Sequence, residues 1–179
     1  GFKAPERAAP LFESVAGNAP RGPRAAEANY LSGRAYELSD QYELAVVAYL
    51  TVQSLYPKSP FAEEASFGRV RSWYKLATES PNDAEALDQA WTAVSVYAAT
   101  FPASAHINDV LAYKQELYKR RAEAAYQKAL FYDKIAHKPE SALMTYQTFV
   151  KLFPTSEWTS VAQERVKQLS QTVETKDEK

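Results

Sequence analysis

Apolar residues recur along this chain at the spacing of helices, not of strands. Ala25, Ala28, Tyr30, Gly33 and Tyr36 fall toward one side of a helix predicted over 23–39. Leu44, Val47, Ala48, Leu55 and Tyr56 keep the same period in a partner helix over 41–56. Small residues at Gly33 and Ala45 allow close helix approach, and the large rings of Tyr36, Tyr49 and Tyr56 fill the gaps. Asp40 is placed to cap the second helix, with Glu43 three residues on. Pro57 closes the unit, and Ser59-Pro60 offers a cap and a first-turn proline to the next helix. The same reasoning predicts helices over 60–79, over 83–101 with Asn82 as cap, over 139–153 and over 156–173. Ser104 to Ala136 contains neither proline nor glycine and reads as one unbroken helix, roughly 50 Å long.

This grammar repeats. Pro20, Pro57, Pro102 and Pro154 are separated by 37, 45 and 52 residues. Gly22, Ser59, Ser104 and Ser156 each stand two residues after their proline, where a cap is expected. Ala45, Ala90 and Ala142 stand twelve residues before the last three prolines and should be buried at helix contacts. The eight extra residues of the second period are expected in the 77–84 region. A period in this range with paired helices indicates a helical-hairpin solenoid. The fold class is therefore all-α, a superhelix of antiparallel hairpins with one long linking helix. Residues 1–22 should be partly irregular, with a short helix over 11–16, residues 23–173 should form the repeat domain, and 174–179 a frayed charged tail.

Composition narrows the functional classes. Of 179 residues, 46% are hydrophobic and 24% charged, with a net charge of −1, so no general affinity for nucleic acid follows. There is no cysteine, which removes disulfides and thiolate chemistry from these residues. No apolar run reaches the length of a membrane span. Gly1 as first residue leads us to expect that a leader, or a lipid-bearing N-terminal cysteine, was removed before this numbering begins.

Candidate chemistry is sparse. Asp133, His137 and Glu140 have spacings that suit a metal on one helix face, but Pro139 interrupts that helix. No phosphate loop or nucleophile motif is present, so we expect no enzyme, no metal and no cofactor. Arg34 and Arg71 stand one period apart, as do Tyr30 and Phe67, with Tyr74 further along. On the first helices of successive hairpins these five residues would line a concave, peptide-binding groove. The alternative places Tyr30 and Phe67 in the core and both guanidiniums in solvent. Lys119, Arg120 and Arg121 form a basic cluster in a stretch of seven basic and three acidic residues, Lys114 to Lys138. It reads either as a solvated helix face or as a patch for an acidic protein partner or anionic lipid headgroups.

Gly33, Tyr36, Ala45, Tyr49 and Pro57 match the small, aromatic, small, aromatic and proline positions of a tetratricopeptide repeat, which the hairpin resembles. In the second copy Val70 replaces the first glycine, while Trp73 keeps the aromatic. The unequal periods, the long linking helix and the strings LYPKSPFAEEA (55–65), TFPASAHINDV (100–110) and LFPTSEWTSVA (152–162) resemble the BamD (YfiO) type of outer-membrane assembly lipoprotein. The resemblance spans residues 18–170. It implies a periplasmic protein held to the outer membrane by a lipid anchor. Its implied partners are the β-barrel assembly subunit and unfolded outer-membrane protein peptides, with no nucleic acid, and it would be a monomer on its own. The alternative is a general tetratricopeptide peptide-binding adaptor, cytoplasmic or of the periplasmic cell-division-coordinator type; the even spacing expected of that last type is not seen.

Overall fold

The computed structural model describes residues 4–177, with side chains through residue 173. The elements among these residues are helices alone. In chain order they are α1 (Pro5–Asn18), α2 (Ala25–Leu38), α3 (Tyr42–Leu55), α4 (Ala62–Glu79), α5 (Ala84–Thr100) and α6 (Ile107–Leu130). A π-helical turn (Phe131–Ile135) extends α6 without a break, and α7 (Pro139–Leu152) and α8 (Thr159–Asp177) follow. The expected long helix thus starts three residues late and ends in a wider turn, with no loop near 119–122. The chain is all-α, and the successive helices from α1 to α5, and α7 with α8, pack against one another.

The recurring aromatic-Pro-x-Ser string has a local physical cause. Helices α3, α5 and α7 each end at an aromatic whose N–H still donates to the carbonyl four residues back: Tyr56 to Val52, Phe101 to Tyr97, Phe153 to Phe149. Two tight turns follow. The aromatic carbonyl accepts from the serine N–H, and the serine carbonyl accepts from the first residue of the next helix. Ser59 to Tyr56 and Ala62 to Ser59 make one copy, at 3.0 and 3.1 Å. Ala19, Gly22 and Ala25 make the same pair of turns at the start of α2. The prolines suit these turns because they supply a fixed φ and need no donor.

The serines are therefore turn residues, not the expected caps. Ser104 Oγ accepts from the His106 N–H at 3.1 Å, and Ser156 Oγ from Trp158 at 3.4 Å, both ahead of the helix. Ser59 Oγ is buried without a partner. Asp40 does not cap α3 either. It adopts a left-handed backbone, φ 58°, and its carboxylate accepts from the Tyr42 hydroxyl at 2.7 Å. The cap of α5 is Asp83, one residue past the expected Asn82, accepting from the N–H groups of Glu85 and Ala86. The eight extra residues of the second repeat are not one insertion. Against α2 and α3, four lie in α4, one in the turn and three in α5.

At the N-terminus, α1 is longer than the short helix expected. Pro5 occupies its first turn and Pro10 lies within it. The missing Pro10 hydrogen bond is tolerated because Ala9 and Ala16 are buried and α1 packs along α2. The Tyr36 hydroxyl donates to Glu13 at 2.8 Å, and burial together with that carboxylate pushes its pKa up to about 12. At the other end, α8 continues through Asp177, into the segment expected to fray from 174; residues 178–179 lie outside the described residues.

Packing divides the chain into two units, Gly1–Gln115 and Glu116–Lys179, with the division inside α6. The first core gathers Ala35, Ala45, Tyr49, Val52 and Ala65, and the second gathers Ala122, Ala129, Ala142, Tyr146 and Phe149. Ala45, Ala90 and Ala142 are all 0% exposed, as the repeat alignment requires. The buried face of α3 differs from the expectation. Leu44, Val47 and Leu55 are exposed, whereas Tyr42, Val46, Tyr49 and Val52 are buried.

Candidate functional site

The first unit is organised around Tyr49. Its ring is fully buried between two glycines. A Cβ on Gly33 would lie 2.6 Å from the ring, and one on Gly68 would lie 2.3 Å from it. Two helices can approach from both sides only because neither residue has a side chain. Gly68, two residues before Val70 on α4, is thus a second close-approach residue, packed against the ring of the preceding hairpin. Its signal in the sequence is a glycine inside an otherwise regular helix, a placement that costs about 1 kcal/mol relative to alanine.

The Tyr49 hydroxyl donates to Glu37 Oε2 at 2.7 Å. Arg71, from α4, holds the same carboxylate with two bonds: Nε to Oε1 at 2.5 Å and Nη2 to Oε2 at 2.8 Å. Arg34, one turn before Glu37, reaches Oε2 at 3.3 Å. Burial raises the Glu37 carboxyl, but the bonds and charge of Arg71, the Tyr49 hydroxyl and Arg34 outweigh it, and the pKa lies below the ordinary value. Burial opposes the charge of Arg71 as well, yet Glu37 raises it above the usual guanidinium range. The Tyr49 hydroxyl is raised by burial and by Glu37. At neutral pH, Glu37 is an anion and Arg71 its fixed counter-ion.

A pocket of about 350 Å³ opens beside this group, lined by Arg34, Glu37, Leu38, Tyr42, Arg71, Tyr74, Lys75 and Tyr113. Tyr74 and Tyr113 stack with ring centres 4.2 Å apart. Behind it, the Arg71 guanidinium lies 4.5 Å from the centre of the Phe67 ring. His106 stacks on Phe67 at 4.0 Å and contacts Glu64 through Nε2 at 2.9 Å.

The structure brings Arg34, Arg71 and Tyr74 to one pocket, and Tyr30 and Phe67 are not among the residues that line it. Phe67 is 5% exposed and forms the shelf under Arg71. Tyr30 is half-buried, stacked on Phe61 at 5.4 Å. Neither arginine is a simply solvated side chain. Sequence reasoning missed Glu37, Lys75, Tyr42 and Tyr113, because their relation to the arginines depends on which helix faces meet.

The second unit contains the basic cluster. Lys119 is exposed, while Arg120 and Arg121 are half-buried and engaged within the fold. Successive helix positions point about 100° apart, so the three do not share one solvent-facing stripe. Asp133, once considered with His137 and Glu140 as a metal ligand, is bound to Arg165. The two bonds measure 2.8 and 2.7 Å. The hydrogen bonds of Arg165 hold its carboxyl below the ordinary range, against the effect of burial. No helix among the described residues is long and apolar enough to cross a membrane.

Compared with known families, residues 3–138 match the model of YfiO, described as an outer membrane lipoprotein. Residues 123–156 match a tetratricopeptide-repeat model. No curated protein matches the chain. The repeat match covers the second half of α6, the π-turn and α7, the hairpin built around Ala142 and Tyr146. Both are families of scaffolds and adaptors that act through protein–protein interaction.

Proposed function

From the membership of this chain in the YfiO family of outer membrane lipoproteins, we propose that it is a non-enzymatic scaffold of outer-membrane β-barrel assembly. It works in the periplasm at the outer membrane, binding the barrel-assembly subunit and unfolded outer-membrane protein segments. The observation that carries this reading is the family match across residues 3–138. The pocket adds a physical route. An extended peptide lies along Tyr30, Arg34, Phe67, Arg71 and Tyr74, and presents a carboxylate to the cationic side of the pocket. Tyr74 gives an apolar wall, and Phe67 acts from beneath Arg71. Arginine suits this task because its fork holds a carboxylate through two directed bonds. Lys119, the exposed member of the basic cluster, supplies a second contact, to an acidic protein partner.

The test is a binding titration with a peptide from the C-terminal end of an outer-membrane barrel. The Arg34→Ala variant should bind about tenfold more weakly, as expected for one lost charge-assisted contact. Unchanged affinity with an intact helical spectrum removes the pocket from the peptide path. Size-exclusion chromatography with the periplasmic domains of the barrel subunit tests the scaffold role. Elution of the two as separate species across micromolar concentrations would count against it.

A further inference from the structure

The pocket already contains one carboxylate, and it belongs to the protein. We propose that Glu37 is an internal competitor for Arg34, and so sets how tightly the pocket holds a peptide carboxylate. This inference rests on the peptide-pocket reading above and adds a regulating residue to it.

The two arginines on Glu37 are held differently. Arg71 makes two short bonds, and only 23% of its side chain is exposed. Arg34 makes one contact at 3.3 Å, from a side chain that is 34% exposed. A long, single, partly solvated contact is the weaker of the two. Arg34 can turn from Glu37 toward a ligand while Arg71 stays. Lys75 lines the same pocket and is exposed. Three cations thus face one resident anion, and that anion has one strong partner. The remaining positive charge suits an acidic peptide side chain. The stacked Tyr74 and Tyr113 rings, with Tyr42, offer apolar surface to the residue beside it. A ligand carboxylate must share or take Arg34 from Glu37, so the resident charge lowers its affinity.

Calorimetric titrations decide this, using the C-terminally amidated peptide Gly-Ser-Phe-Glu-Val-Gly and its counterpart with glutamine for glutamate. Wild-type protein should prefer the glutamate peptide. Glu37→Gln keeps a hydrogen-bonding side chain but removes the competing charge. It should bind the glutamate peptide about tenfold more tightly and leave the glutamine peptide unchanged, and Arg34→Ala should abolish the preference. If wild type prefers glutamate and Glu37→Gln binds no more tightly, the competitor role is overturned and the peptide pocket stands. If wild type binds neither peptide, the peptide pocket falls and the inference with it. Should Glu37→Gln fail to fold, the wild type still decides. On titration with the glutamate peptide, the Arg34 Nε–H resonance should shift while that of Arg71 holds. A static Arg34 resonance at saturation overturns the proposal.

Discussion

Two regions of the molecule carry the same arrangement of side chains with different surroundings. In the first unit Glu37, at the end of α2, is held by Tyr49 of α3 and Arg71 of α4. In the second, Asp133, in the π-turn after α6, is held by Arg165 of α8, with the Tyr146 hydroxyl of α7 at 3.4 Å. The spacings agree as well. A small residue stands four before each acid (Gly33, Ala129), an alanine four before each tyrosine (Ala45, Ala142), and a small residue three before each arginine (Gly68, Ala162). The middle hairpin has Val94 four residues after Ala90, so it carries no hydroxyl for such a clamp. The clamp ties three successive helices through one buried carboxylate.

The surroundings separate the two. The Asp133 side chain is 3% exposed and has Lys134 at 3.3 Å as a further counter-ion. The Glu37 side chain is 13% exposed and borders the tyrosine-walled pocket. The clamp is therefore a structural device, and what makes the first unit a candidate site is what was added to it: Arg34, Lys75, Tyr42, Tyr74 and Tyr113.

The largest expected effect breaks the closed clamp. Arg165→Ala takes both short bonds from Asp133, leaves it only the exposed Lys134 and the long Tyr146 contact, and should cost about 3 kcal/mol in urea unfolding. Arg71→Ala should cost less, roughly 2 kcal/mol, because Arg34 and nearby solvent still serve Glu37. An equal or larger cost at Arg71 would mean that the first clamp is as closed as the second. Glycine is required on both sides of Tyr49 but not around Tyr146. Gly68→Ala should destabilise by about 1–3 kcal/mol, toward the upper end because Gly33 blocks the ring's retreat. A melting temperature equal to the parent's would show that the ring is not confined.

Leucine at Ala45, Ala90 or Ala142 should overpack its contact by about 1–3 kcal/mol, and parental urea midpoints for all three would contradict the shared register. Both clamp carboxyls have lowered pKa values in the folded chain. Their stabilisation is complete above the unfolded carboxyl range, near pH 4, and is lost as pH falls through the lowered folded values. Asp133→Asn should lower stability at neutral pH and flatten the fall in stability below about pH 4; an unchanged acid profile would show that Asp133 does not drive it. The smallest effect on the fold belongs to Arg34→Ala, about 1 kcal/mol or less by thermal melting, since its contact is long and partly solvated. A larger loss would make Arg34 a member of the clamp and not of the pocket.

Local features of the chain were enough to determine the helices and their repeat. The double turn after each aromatic uses only neighbouring backbone groups, so Tyr56, Phe101 and Phe153 mark helix ends wherever the helices pack. Alanines twelve residues ahead of the prolines mark the close contacts for the same reason: helix and turn lengths set their place. Tertiary structure decided which of two apolar stripes on α3 is buried, because both keep a helical period and only the neighbouring helices distinguish them. It also decided that Gly68 shares Tyr49 with Gly33, that Arg71 belongs first to Glu37, and that Tyr113 reaches the pocket. Each of these joins residues from different helices. Spacing along one helix states which side chains share a face, whereas a carboxylate finds its arginine 34 residues away only when the faces meet.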